Sequence, residues 1–193
     1  MLVNNGSSLV SQAVVQLASK AGLRSVSLVR SDSGIEWEKL APHLTAIGAT
    51  LVVSEAQAGR HEFAKTMADL PKAKLALNSS GGPAALLLAR HLAKGATLVT
   101  CGSEGRRAAI SAPLDIFTAQ DLSLRGLNVE AWSAGLSKEA RDKAVAEAVG
   151  SLFAAEGAWR LRLLVAREPF KDFAVALKRT YAPGNDRQVS LTF

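Results

Sequence analysis

Short apolar runs and helix-period stretches take turns along most of the chain, and this alternation restricts the fold more than any other feature. Residues 2–3 read as the end of a buried strand, 4–8 as a tight polar turn, and 9–20 as a helix closed by Gly22. The pattern repeats as strand 25–29, helix 35–47 with Trp37, Leu40, Leu44 and Ile47 at helical spacing, and strand 50–53. Helix 61–68, strand 73–77, helix 83–91 and strand 96–100 follow. Strands that are apolar throughout need cover on both faces, which a parallel sheet between two helical layers provides. Right-handed crossovers then leave a doubly wound α/β parallel sheet as the expected fold.

Beyond Cys101 the rhythm changes. Residues 105–111 are expected to be extended, 114–120 helical and 122–129 a further strand. A long alanine-rich helix is expected over 138–155, with Ser137 as its cap and Glu139 in its first turn. Residues 160–165 read as strand, 169–178 as a helix with Pro169 in its first turn, and 188–193 as a terminal strand. The expected division is a domain over 1–155 and a C-terminal segment over 156–193.

Composition narrows the partners. With 193 residues, 48% hydrophobic and 21% charged, the chain suits one well-buried domain. A net charge of +6 raises the question of nucleic acid, but the cations are scattered and Trp37, Trp132 and Trp159 are far apart in sequence. No nucleic-acid partner is expected, and a phosphorylated ligand accounts for the charge equally well. Cys101 is the only cysteine, which excludes an internal disulfide and a cysteine-rich zinc cluster. His43, His61 and His91 stand singly in helical stretches, so surface or capping roles are expected and no metal site is assigned. No apolar run is long enough for a membrane-spanning helix.

The polar turn after the first strand is the most informative segment. A strand-to-helix turn of small residues lets a pyrophosphate approach backbone N–H groups, which makes Asn4, Gly6, Ser7, Ser8, Leu9 and Val10 candidates for a dinucleotide loop. Only Gly6 is a glycine, and Ser11 stands where the last glycine of G-x-G-x-x-G would sit, so spacing alone leaves an ordinary turn equally open. Arg30 ends the second strand where NAD-preferring proteins carry an acid, which favours a ribose 2′-phosphate. Ser31 can donate to the same phosphate, and Asp32, read as a helix-initiating residue, completes the candidates on that side. Asn78-Ser79-Ser80-Gly81-Gly82 and Cys101-Gly102-Ser103 follow the fourth and fifth strands, where ligands of this fold collect, although either could be a plain turn. Cys101 reads as a small half-buried residue rather than a nucleophile.

Together the phrases Val-Asn-Asn-Gly-Ser-Ser-Leu-Val-Ser-Gln-Ala-Val-Val-Gln-Leu-Ala, Ser-Leu-Val-Arg, Leu-Ala-Leu-Asn-Ser-Ser-Gly-Gly, Leu-Val-Thr-Cys-Gly and Leu-Arg-Gly-Leu-Asn-Val-Glu-Ala-Trp are specific. They resemble the mitochondrial trans-2-enoyl-CoA reductase branch of the medium-chain dehydrogenase/reductase superfamily, in register from Leu2 to Phe193. The resemblance implies an NADP-binding Rossmann fold and a zinc-independent, NADPH-dependent reduction of an enoyl thioester, serving fatty acid synthesis in the mitochondrial matrix. It implies pyrophosphate contacts at Ser7, Ser8, Leu9 and Val10, 2′-phosphate contacts at Arg30 and Ser31, and nicotinamide contacts at Cys101, Gly102, Ser103 and Glu104. Leu127, Asn128 and Val129 match a segment lining the nicotinamide and acyl pocket, and Arg187 a basic cofactor contact. It also implies a homodimer through edge strand 122–129.

The catalytic tyrosine of that family lies in an N-terminal GroES-like domain, none of which precedes Met1. Tyr181, the sole tyrosine, does not match it, so no catalytic residue is assigned and the chain is expected to be inactive alone. Residues 156–193 are expected to pack on that missing domain, and the first strand reads as lacking its beginning. Ser11 in place of glycine, Cys101 in place of tyrosine and Asn128 in place of tryptophan depart from the family. The alternatives are a quinone or alkenal reductase of the same superfamily, and a non-catalytic Rossmann module.

Overall fold

The computed structural model describes residues 1–30, 34–102, 109–153, 161–181 and 189–192. The first half alternates strand and helix: β1 (Leu2–Val3), α1 (Leu9–Lys20), β2 (Val26–Val29), α2 (Gly34–Ala46) and β3 (Leu51–Ser54). Then come α3 (Glu55–Ala58), α4 (His61–Ala68), β4 (Ala73–Asn78), α5 (Gly82–Arg90) and β5 (Leu92–Thr100). The strands form a six-stranded sheet in the order β3-β2-β1-β4-β5-β6, with β6 spanning Ser123–Gly126. Every pairing in it is parallel. Chain order reverses between β1 and β4, so a crevice opens beyond the carboxyl ends of these strands.

The two-residue period of the strands divides the core. Leu28 and Val53 face a layer with Phe63 and Met67 of α4 and Leu88 of α5. Their neighbours Val29 and Val52 face the other layer, with Val15 of α1 and Leu40 and Leu44 of α2. Burial of this kind contributes about 25 cal/mol per Å² of apolar surface, and it fixes register because a slip of one residue would exchange the two faces.

Past β5 the expectations and the structure part company in places. The helix expected over 114–120 is a single turn, α6 (Asp115–Thr118). The strand expected over 122–129 ends at Gly126, because the Asn128 side chain accepts from the Ala131 N–H at 2.9 Å and starts a helix, α7 (Val129–Ala134). α8 (Lys138–Phe153) starts where the helix over 138–155 was expected, whose last two residues lie outside the described ones; it is exposed along most of its length, and the Ser137 hydroxyl accepts from the Ala140 N–H at 3.2 Å.

A strand was expected over 160–165; of these, residues 161–165 are described, and they join no sheet. The sheet begins later, at β7 (Ala166–Pro169), which pairs in parallel with β8 (Val189–Thr192) as a separate two-stranded sheet. A 3-10 turn (Phe170–Asp172) and α9 (Phe173–Thr180) follow β7, so the helix expected over 169–178 starts later than expected, and Pro169 closes β7 instead of standing in the helix's first turn. α3, which the sequence reading missed, is one turn held by a capping box: Gln57 N–H donates to Ser54 Oγ and Ser54 N–H to Gln57 Oε1.

Candidate functional site

The turn between β1 and α1 is shaped by its small residues. Asn5 takes a left-handed conformation, φ 52°, which asparagine tolerates better than most residues. Gly6 donates its N–H to Leu28 O at 2.9 Å, bringing the turn against the end of β2. A Cβ at Gly6 would collide with the Ser27 hydroxyl and come within 2.8 Å of Val29 Cγ1, so only glycine fits. Ser8 caps α1: its hydroxyl accepts from Ser11 N–H at 3.1 Å and donates to Ser11 Oγ at 3.0 Å. Ser11 is fully buried, and its hydroxyl donates to Asn4 O at 2.9 Å, which explains how serine replaces the expected glycine without an unsatisfied group.

What this leaves open is a row of donors. The Leu9 and Val10 N–H groups, in the first turn of α1, have no acceptor among the described residues. The first turn of α1 carries no acid to oppose an anion at this helix N-terminus. Val10 projects outward and is exposed, while Asn4 and Ser7 are buried.

A chain of amide hydrogen bonds ties the strand ends together. Asn4 Nδ2 donates to Asn78 Oδ1 at 2.7 Å, and Ser79 N–H donates back to Asn4 Oδ1 at 2.8 Å. Asn78 Oδ1 also accepts from Gly81 N–H at 3.0 Å, and Asn78 Nδ2 donates to Thr100 Oγ1 at 3.2 Å. The carboxyl ends of β1, β4 and β5 are thereby locked, with Gly81 and Gly82 held at φ 76° and 56°. Asn78 opens the candidate turn expected after the fourth strand, whereas Thr100 was not among the expected site residues. The Ser79 hydroxyl is buried with no partner among the described residues.

Beyond β5 and β6 lies an open groove of about 560 Å³, lined by Thr100, Cys101 and Gly102 on one side and Leu127, Asn128 and Val129 on the other. The structure thus brings together two sets of residues that the sequence reading named separately. Cys101 is half-buried, with its N–H bonded to Asn78 O at 2.9 Å, and burial pushes its thiol pKa up, away from nucleophile chemistry. Arg30 is exposed immediately after β2, on the side of the crevice that Gly6 joins to β2. Ser31, Asp32, Ser103, Glu104 and Arg187 lie outside the described residues.

Surface or capping roles were expected for the histidines; His91 fits as the C-cap of α5, and His43, inside α2, does not. His43 is half-buried with Nε2 at 3.2 Å from Gln12 Oε1, and His91, at the end of α5, packs edge-on against Phe63 with ring centroids 4.8 Å apart. Burial lowers the pKa of both. His61 is exposed, as expected. Among the described residues no group of acids, histidines and cysteine is placed to hold a metal ion.

Against known proteins, the chain is 30% identical over 191 residues to the mitochondrial enoyl-[acyl-carrier-protein] reductase of Dictyostelium discoideum, a match covering 99% of this chain and 53% of that protein. Over nearly its whole length the chain is thus similar to about half of a mitochondrial enoyl reductase. No family model matches the sequence. The fold agrees with solved reductases: the mitochondrial 2-enoyl thioester reductase Etr1p/Etr2p heterodimer from Candida tropicalis superposes with a TM-score of 0.76 at 20% identity, covering 100% of this chain and 53% of that one. The Etr1p/NADP/crotonyl-CoA complex superposes with a TM-score of 0.75 at 21% identity, covering 100% of this chain and 53% of that one. At such identities these enoyl reductase structures establish the Rossmann architecture and nothing finer. The chain spans about half the length of the enoyl reductases it matches.

Proposed function

We infer that this chain is the NADPH-binding half of a mitochondrial 2-enoyl thioester reductase, an enzyme that delivers hydride to the β-carbon of a trans-2-enoyl thioester in fatty acid synthesis. The observation that carries the reading is the turn at residues 4–8 with the start of α1: it lies at the reversal of strand order, and the Leu9 and Val10 amides beside it have no acceptor among the described residues. The unpartnered Ser79 hydroxyl on the neighbouring strand end gives a polar ligand a further contact. The curated relative is named an enoyl-[acyl-carrier-protein] reductase, and the structural neighbour is a complex with NADP and crotonyl-CoA.

In this reading Ser7, Leu9 and Val10 hold the diphosphate through backbone donors, Ser8 sets the start of α1 by capping it, and Asn4 and Gly6 set the shape of the turn. Arg30 balances the 2′-phosphate of the adenosine ribose. The groove between Cys101–Gly102 and Leu127–Val129 takes the nicotinamide end, where exposed Leu127 and Val129 shield the reacting face from water. Bound NADPH supplies the hydride. The Asn128 side chain is committed to capping α7, so its part is to hold this wall of the groove in place. The apolar surface formed by Phe170, Phe173 and Leu177, each about half exposed, receives the other half of the enzyme.

Titration separates the parts of this reading. The chain is expected to bind NADPH more tightly than NADH, by about tenfold or more for a charge-assisted phosphate contact, and Arg30→Ala to remove that preference. Equal affinity of the unmodified chain for both cofactors contradicts the assignment of Arg30.

β6 supports a homodimer. It is an edge strand with one paired neighbour, all four of its residues are exposed, and Leu124 and Trp132 present apolar surface beside it. Light scattering is expected to give the mass of two chains, whereas a monomer at high concentration contradicts it.

A further inference from the structure

Gln12 and Gln16 lie four residues apart on the buried face of α1, and each is almost wholly enclosed. Both side-chain amides are spent on the backbone of the segment before β7. Gln12 Oε1 accepts from Leu164 N–H at 2.7 Å while Gln12 Nε2 donates to Leu164 O at 3.2 Å. Gln16 Oε1 accepts from Arg162 N–H at 2.8 Å while Gln16 Nε2 donates to Arg162 O at 2.8 Å. Four residues of helix rise about 6 Å and two residues of extended chain about 6.6 Å, so two rungs of this kind match in spacing. The helix offers residues 161–165 what a neighbouring strand would offer, which is why that segment is extended without joining a sheet.

The inner rung reaches further. The second Gln12 Nε2 hydrogen donates to Ser7 O at 2.8 Å, inside the turn at residues 4–8. With both amide hydrogens given to carbonyls, Gln12 Oε1 can only accept, so His43 presents its Nε2 proton to it at 3.2 Å. The segment is fastened from its other side as well: the Arg162 guanidinium donates to Ala46 O at 2.6 Å, at the last turn of α2, and Leu164 packs against the core layer of α1 and α2. One side chain therefore holds the turn and the C-terminal segment at the same time.

We propose that Gln12 and Gln16 are positioning residues, a clasp through which the placement of residues 161–165 sets the geometry of the turn at residues 4–8. That segment leads directly into β7. Whatever packs against the β7–β8 unit can thus tighten or loosen the turn, and a ligand in the turn acts back on the segment to the same degree. The consequence for nucleotide affinity rests on the function proposed above; the clasp itself does not.

Hydrogen exchange resolved to single amides, on the unmodified 193-residue chain and two variants, tests it. Leu164→Pro removes the N–H that Gln12 accepts, and Gln16→Met removes the outer rung while touching nothing in the turn. In both, the Gly6, Ser8 and Ser11 amides are expected to exchange about tenfold faster, as local opening demands, with β4 and β5 amides unchanged. NADPH affinity is expected to fall several-fold alongside. Turn amides that exchange as in the unmodified chain overturn the proposal. Equal acceleration of turn and sheet also overturns it, because the glutamines then serve general stability alone. If the turn amides respond but the unmodified chain ignores NADPH, the clasp stands and the nucleotide reading falls.

Discussion

At the scale of single residues, the site is held by groups whose hydrogen-bonding capacity is nearly exhausted. Asn78 is the clearest case. Replacing it with leucine strands Asn4 Nδ2 and the Gly81 N–H in a buried setting. Asn78→Leu is expected to cost about 2–6 kcal/mol, at about 1–3 kcal/mol for each of the two orphaned groups, read by denaturant unfolding. A loss below about half a kilocalorie contradicts the lock. His43 and His91 bear on acid stability. Burial, with the charge of Arg162 near one and of Arg90 near the other, holds both below the ordinary value of 6.5, while the Ala58 carbonyl partly offsets this for His91. Both imidazoles are neutral in the native protein, so on acidification the unfolded chain takes up protons first. Their contribution is complete above 6.5 and is lost as pH falls through the lowered native values, so melting temperature is expected to drop below that point. His91→Gln should flatten part of the drop, and an unchanged acid limb in that variant contradicts the assignment.

At the scale of elements, the sequence was most legible where hydrophobic period and tertiary packing agree. The residues of α1 and α4 were read to their exact ends because both faces of the sheet demand a regular apolar stripe. Legibility failed where a side chain substitutes for backbone. Leu127 to Val129 have strand-like residues, yet the Asn128 cap turns the chain into α7. Residues 161–165 look like a strand because they are extended and half-buried, but their partners are glutamine amides, which leave no period in the sequence. The turn at residues 4–8 was legible in position and ambiguous in type. Its glycine pattern is incomplete, and only the structure shows that Ser11 is satisfied by Asn4 O and that Gly6 is sterically obligatory.

At the scale of the whole molecule, a parallel sheet converts scattered sequence phrases into one edge. The ends of β1, β4, β5 and β6 meet there, and the residues expected from the phrases after β5 and β6 line a common groove. The Asn4–Asn78–Thr100 chain that binds these ends came as an addition, since hydrogen bonds between residues about 74 and 22 positions apart have no local signature. Among the described residues no helix is long and apolar enough to cross a membrane. The central claim is that this edge receives an NADP dinucleotide with its diphosphate on the first turn of α1. Backbone amide resonances of Ser7, Leu9 and Val10, followed while NADPH is added, test it most directly. They are expected to shift in a saturable way, with smaller changes at Cys101 and Gly102; saturable NADPH binding that leaves the Ser7, Leu9 and Val10 amides unmoved contradicts it.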